Sequence, residues 1–114
     1  MLNELFRAID ARDADAFASF LSTDCTFRFG NLPAVTGKDQ VREFVAGFFA
    51  SIAALSHVIE AQWAVPGGLI CHGTVTYTRH DGSMLTVPFA NVFGLAPEGI
   101  ASYLIFADTS QLYA

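Results

Sequence analysis

Hydrophobic positions along the chain recur with two periods, and the switches between them mark out the elements. Leu2, Leu5, Phe6 and Ile9 fall at helical spacing and predict an amphipathic first helix to about Ala11. Asp13 is placed to cap a second, short helix whose inner face would be Phe17, Phe20 and Leu21. After Thr23-Asp24 the period drops to two, with Cys25, Phe27 and Phe29 on one side and Thr26 and Arg28 on the other. This predicts a strand, ended by Gly30-Asn31-Leu32-Pro33. Helical spacing then returns in Val41, Phe44, Val45, Phe48, Phe49 and Ile52, behind a capping-box-like pair of Thr36 and Asp39. The opposite face of this third helix is small (Ala46, Gly47, Ala50, Ser51) and leaves room for close packing.

From Ser56 onward, strands over about 56–65, 69–80, 84–95 and 100–108 are separated by Pro66-Gly67-Gly68, Asp81-Gly82 and Ala96-Pro97-Glu98-Gly99. Helices followed by a run of strands predict an α+β fold: a curved, mainly antiparallel sheet wrapped over three helices. With 53% of the 114 residues apolar and 15% charged, the chain has material for one core and possesses neither repeat nor linker. A single domain over residues 1–114 is therefore expected.

Charge and cysteine usage narrow the function classes. A net charge of −5 with six basic side chains argues against a nucleic-acid partner. Cys25 and Cys71 form no metal-ligand spacing and fit a reducing compartment as small core residues. The N-terminus carries acids rather than a signal peptide, and the uncharged stretch Phe44–Ile59 is too short for a membrane span. A cytoplasmic location with no membrane association is the expectation. His72 and His80 would lie about 26 Å apart on one strand, too far to share a metal. No phosphate-binding glycine loop or nucleophile elbow is present, so neither a metal nor a cofactor is expected.

Alternation sorts candidate chemistry onto faces. In the third long strand Asn91 is a lone amide in the row Leu85, Val87, Phe89, Phe93 and Leu95. Tyr77 shares a face with Cys71, Gly73 and Val75, opposite a row of Thr74, Thr76 and Thr78. His57 and Trp63 fall together with Ile59 and Ala61, opposite Val58, Glu60 and Gln62. Asp108 shares a face with Leu104 and Phe106, and no Lys or Arg follows Arg79 to neutralise it. An acid on an apolar sheet face suits a general base or acid; the alternative is a strand-end cap in water. His57 is either a pocket hydrogen-bonding group or a satisfied core residue, and Asn91 either holds a substrate oxygen or pins neighbouring strands. Tyr77, Trp63 and Phe29 either line a cavity or are plain core.

The order helix–helix–strand–helix–meander, with Phe27-Arg28-Phe29-Gly30-Asn31 running to Gly37-Lys38-Asp39, Val87-Pro88-Phe89-Ala90-Asn91-Val92-Phe93, and Gly99-Ile100 before Tyr103-Leu104-Ile105-Phe106-Ala107-Asp108, resembles the nuclear transport factor 2-like superfamily. It is most similar to the SnoaL-like branch of that cystatin-like fold. The resemblance implies a cone-shaped pocket and a homodimer through the outer sheet face, where Thr74, Thr76 and Thr78 sit beside Glu60 and Gln62. It also implies a functional Asp near the end of the last strand, which is Asp108 here. Leu104-Ile105 replaces the Arg-Asp pair of the epoxide hydrolases, so that activity is not implied. The expected function is binding of an apolar, oxygenated small molecule. As an isomerase, cyclase or hydratase/dehydratase, the chain would use Asp108 and His57 as catalytic residues and Asn91, Tyr77, Trp63 and Phe29 as ligand contacts. The alternative is a non-catalytic ligand-binding or dimerisation module.

Overall fold

The structure is a computed structural model describing residues 1–113. Its elements run α1 (Leu2–Asp10), α2 (Ala14–Ala18), β1 (Leu21–Phe29), β2 (Val35–Thr36), α3 (Lys38–Ala50), β3 (Ala54–Val65), β4 (Gly68–Thr78), β5 (Met84–Ala96) and β6 (Gly99–Ala107). The six strands form one sheet in the order β2-β1-β6-β5-β4-β3. Neighbours are antiparallel except β1 and β6, which run parallel. This is the α+β arrangement expected. Leu5, Phe6 and Ile9 of α1, Phe17 of α2 and Val41, Val45 and Phe49 of α3 meet Phe27, Val75, Tyr77, Phe89, Phe93 and Tyr103 of the sheet in one core. Tyr103 sits at its centre, 4.6 Å from Phe93, 5.3 Å from Phe27 and 5.9 Å from Phe17 between ring centroids.

Two local expectations change. The second helix stops at Ala18, and Leu21 opens β1 because it pairs with Ile100 of β6; pairing across the sheet overrides the helical spacing of Phe20 and Leu21. Thr36 makes no capping bond to α3. It is drawn into β2 opposite Thr26, and Gly37 becomes the N-cap with φ 99°, a backbone conformation that favours glycine. Asp13 does cap α2, accepting from the Ala16 amide at 3.0 Å.

The decisive departure is a register shift in β3. In β3 the pairing moves between Ile59, opposite Gly73, and Ala61, opposite His72. One residue inserted into a strand of period two sends every later side chain to the other face. His57, before the bulge, faces inward as expected. Trp63, beyond it, does not: it lies on the outer face, 52% exposed and stacked on His72 at 5.6 Å. Gln62, expected outside, pairs with the inward Cys71. Gly73 permits the bulge, since a Cβ there would stand only 1.8 Å from the Val58 carbonyl oxygen. A second shift, between Gly94 and Leu95, places the extra residue in β6 at Ala101; Leu95 keeps the parity of Phe93 and is 42% exposed near the strand end, opposite buried Ile100.

Beyond β6 the chain folds back onto the end of β4. Arg79 donates from Nε to the Leu112 carbonyl and from Nη2 to the Gln111 carbonyl, both at 2.9 Å, and Leu112 is buried. No helix among the described residues is long and apolar enough to cross a membrane.

Candidate active site

Between the inner sheet face and the helices lies a cavity with about 40 Å³ of free space, lined by Phe29, Phe48, His57, Tyr77, Asn91 and Tyr103 among others. By volume it holds about three water molecules. Its walls are chiefly aromatic: Phe48 of α3 packs 5.0 Å from Phe29 and edge-on to Tyr77 at 5.9 Å. Phe44 and Phe48 are only partly buried, and α3 reaches the cavity through Val45, Phe48 and Phe49.

His57 is held on three sides. Its ring lies 4.8 Å from Phe6 of α1 and edge-to-face with Phe89 of β5 at 5.2 Å. On the third side stands Asp10, the last residue of α1. Asp10 Oδ1 is 2.6 Å from His57 Nδ1, and Oδ2 accepts from the His57 backbone amide at 3.0 Å. One carboxylate thus grips ring and backbone of the same residue. An ionised carboxylate only accepts, so Nδ1 carries the proton and Nε2 is left as the ring nitrogen with a free lone pair. At the C-terminal turn of a helix a carboxylate lies at the unfavourable end of the macrodipole, and the two bonds from His57 offset that placement.

Burial pushes the Tyr77 phenol well above its ordinary value, with nearby Tyr113 acting in the same direction, and burial does the same to Tyr103. Burial also raises the Cys71 thiol to about 11. Tyr77, Tyr103 and Cys71 are therefore neutral at physiological pH, as is the amide of Asn91. Both cysteines are free and buried. Among the described residues no Asp, Glu, Lys or Arg lines the cavity, so charge reaches it through the Asp10–His57 pair. Among the described residues, no group of three or more His, Cys, Asp or Glu side chains is placed to hold a metal ion.

Of the residues expected at the site, the fold brings together His57, Tyr77, Asn91 and Phe29. Trp63 and Asp108 are not among them. Asp108 lies just past the end of β6, exposed, and its Oδ1 accepts the Ser110 backbone amide at 3.0 Å. That amide, followed by the Ser110 hydroxyl, holds the carboxyl below the usual carboxylate range. The alternation was right in parity, since Asp108 does follow Leu104 and Phe106. However, β6 is apolar on both faces, and the inner one is that of Tyr103 and Ile105, leaving Phe106 56% exposed. Asp10 escaped the sequence reasoning altogether. Its partner is 47 residues away; the only local signal is an acid in the last turn of a helix, next to the buried Ile9.

The chain belongs to the SnoaL-like domain family, whose profile matches residues 2–103. No curated protein sequence matches it at a significant level. Among solved structures it is similar to a nuclear transport factor 2-like protein of unknown function from Burkholderia pseudomallei, with TM-score 0.86 and 18% identity over 97% of this chain and 90% of that one. It is also similar to a protein described as a candidate SnoaL-like polyketide cyclase from Jannaschia sp., with TM-score 0.79 and 19% identity over 97% and 87%. A third, from Catenulispora acidiphila, has a ketosteroid isomerase-like fold and was solved with trimethylamine; it gives TM-score 0.84 and 16% identity over 92% and 82%. At these identities the shared property is the fold.

Proposed function

We propose that this SnoaL-like chain binds a small, apolar, oxygenated molecule and moves a proton on it, with His57 as the group that takes and returns the proton. The observation that supports this is the 2.6 Å contact between Asp10 and His57 at the wall of the cavity. The carboxylate fixes the ring tautomer and stabilises the imidazolium that forms when Nε2 accepts a proton. Removal of a proton from a carbon beside a carbonyl is the shared first step of isomerisation, aldol-type cyclisation and dehydration. An imidazole suffices for it, and no cofactor is needed. The free volume restricts the substrate to a few heavy atoms unless the aromatic wall moves. The names carried by similar structures, a candidate polyketide cyclase and a ketosteroid isomerase-like fold, are in keeping with this class of chemistry.

Deuterium exchange into small enolisable ketones and hydroxyketones, followed by proton NMR in D2O, tests the proposal. Wild-type protein should accelerate exchange, and His57→Gln should lose the acceleration by about 10²–10⁴-fold with its fold intact. Asp10→Asn should fall between them. Saturable binding without any accelerated exchange in the wild type would replace proton transfer with the alternative, a ligand-binding module.

The outer sheet face fits a second copy of the chain. Thr76 and Thr86 hydrogen-bond side to side at 2.8 Å, and Val58, Met84 and Phe106 stand exposed on the same face. This face is more apolar than the Thr row alone suggests, and Gln62 is not part of it. A homodimer with a two-fold axis through it would bury those side chains. Sedimentation showing only monomer at high micromolar concentration would remove the dimer.

A further inference from the structure

Asn91 is unusual in its surroundings. It sits mid-strand in β5, opposite Cys71 of β4 and Ile105 of β6, with Phe89 and Phe93 on either side along its own face. It is 2% exposed, lines the cavity, and its Oδ1 has no hydrogen-bond partner. Its buried polar neighbours, the Cys71 thiol and the Tyr103 phenol, are neutral donors, yet neither supplies the missing bond. A buried amide oxygen left unpaired opposes folding, and native proteins leave very few. Here the side chain that carries the unpaired oxygen lines a space in the core where another molecule could stand.

We propose that Asn91 Oδ1 is the recognition point of the cavity and that it selects a ligand bearing a neutral hydrogen-bond donor, a hydroxyl or enol, on a small apolar frame. An acceptor-only molecule, such as a bare ketone, would set oxygen against oxygen; a hydrocarbon would leave Oδ1 as it is. Discrimination follows because the site loses a buried bond with the wrong ligand rather than gaining a weak one with the right ligand. The inference rests on the cavity being the ligand site, but not on proton transfer by His57. If both hold, the substrate is a hydroxy or enolic compound whose oxygen is held by Asn91 while its carbon acid faces the imidazole.

2-Propanol and acetone share one carbon frame, are small enough for the cavity and differ in the donor. Titration of each into the full chain, followed on the Asn91 side-chain amide resonance, should show the alcohol binding at least about tenfold more tightly. In Asn91→Leu, which keeps the branching at Cγ but not the amide, that ratio should fall to about one. The melting temperature of the ligand-free variant should rise, since an unpaired polar group has been removed. The wild-type ratio decides the matter even if the variant fails to fold. Equal affinities, or a preference for the ketone, would overturn the role of Asn91 and leave the cavity as a ligand site. Binding of neither probe would overturn both.

Discussion

The sheet carries two histidine–carboxylate pairs on adjacent strands, one on each face, and they differ in almost every physical respect. Inside, His57 is clamped by Asp10 at 2.6 Å between two phenylalanine rings, with its side chain 10% exposed. Outside, His72 lies 4.0 Å from Glu60 and stacks on Trp63, with both members of the ion pair about half exposed. The inner pair is fixed by two hydrogen bonds to one residue and opens on a cavity. The outer pair is a solvated contact at the limit of ion-pair distance, screened by water and salt. What separates them is the alternation of β3 and β4, which sends His57 inward and Glu60 and His72 outward, while the residue inserted in β3 adds Trp63 to the outer pair. Chemistry in this fold thus depends less on which side chains are present than on the register that sends them inward or outward.

The largest expected effect tests the two faces themselves. Phe93 on the inner face of β5 and Phe106 on the outer face of β6 are the same residue on neighbouring strands. Phe93→Ala should destabilise by about 3–5 kcal/mol in urea unfolding, because it opens a hole beside Tyr103. Phe106→Ala should change stability by no more than about 0.5 kcal/mol at concentrations where the chain is monomeric. Similar losses for both would mean that the faces are wrongly assigned.

How far the sequence reveals this division can be followed residue by residue. Periodicity was sufficient for the order of the elements apart from the two-residue β2, and for the inner row Cys71, Gly73, Val75 and Tyr77 of β4, which alternates with Thr74, Thr76 and Thr78. It failed for Trp63, since a bulge leaves no mark in the pattern; Gly73, whose missing Cβ makes room for it, lies on the neighbouring strand. It failed for Asp108 because Leu104 and Phe106 are as apolar as Tyr103 and Ile105, so β6 carries parity but no direction. His57, Tyr77, Asn91 and Phe29 were legible because their strands alternate up to those positions. Asp10 was not, because a contact across 47 residues is made by the packing of α1 on β3 and by nothing in its neighbourhood.

The next effect compares the two acids. Asp10→Ala would leave both the buried His57 amide and the ring Nδ1 without their acceptor, which should reduce stability by about 1–3 kcal/mol. Glu60→Ala removes only the long exposed contact to His72 and should change stability by less than about 0.5 kcal/mol. A double-mutant cycle with His57→Ala and His72→Ala respectively assigns each loss to its pair. A coupling between Glu60 and His72 as large as that between Asp10 and His57 would erase the distinction drawn between the faces.

The smallest effect belongs to a third carboxylate, which lies on neither side of the core. Asp108 accepts the Ser110 amide in a tight turn at the exposed end of β6. Removal of that acceptor by Asp108→Ala should lower the melting temperature slightly at neutral pH and leave binding in the cavity unchanged. The pH dependence has a definite sign. The carboxyl is held below its ordinary value in the folded chain, so its contribution is complete above the unfolded value near 4 and disappears as pH falls through the lower folded value. The wild type and Asp108→Ala should therefore differ by a constant amount from neutrality down to about pH 5 and converge in stronger acid. Thermal unfolding of both proteins across that range measures the difference directly. A gap that widens in acid, or exchange activity that vanishes in Asp108→Ala while His57→Gln retains it, would return the proton-transfer role to the strand end and take it from the dyad inside.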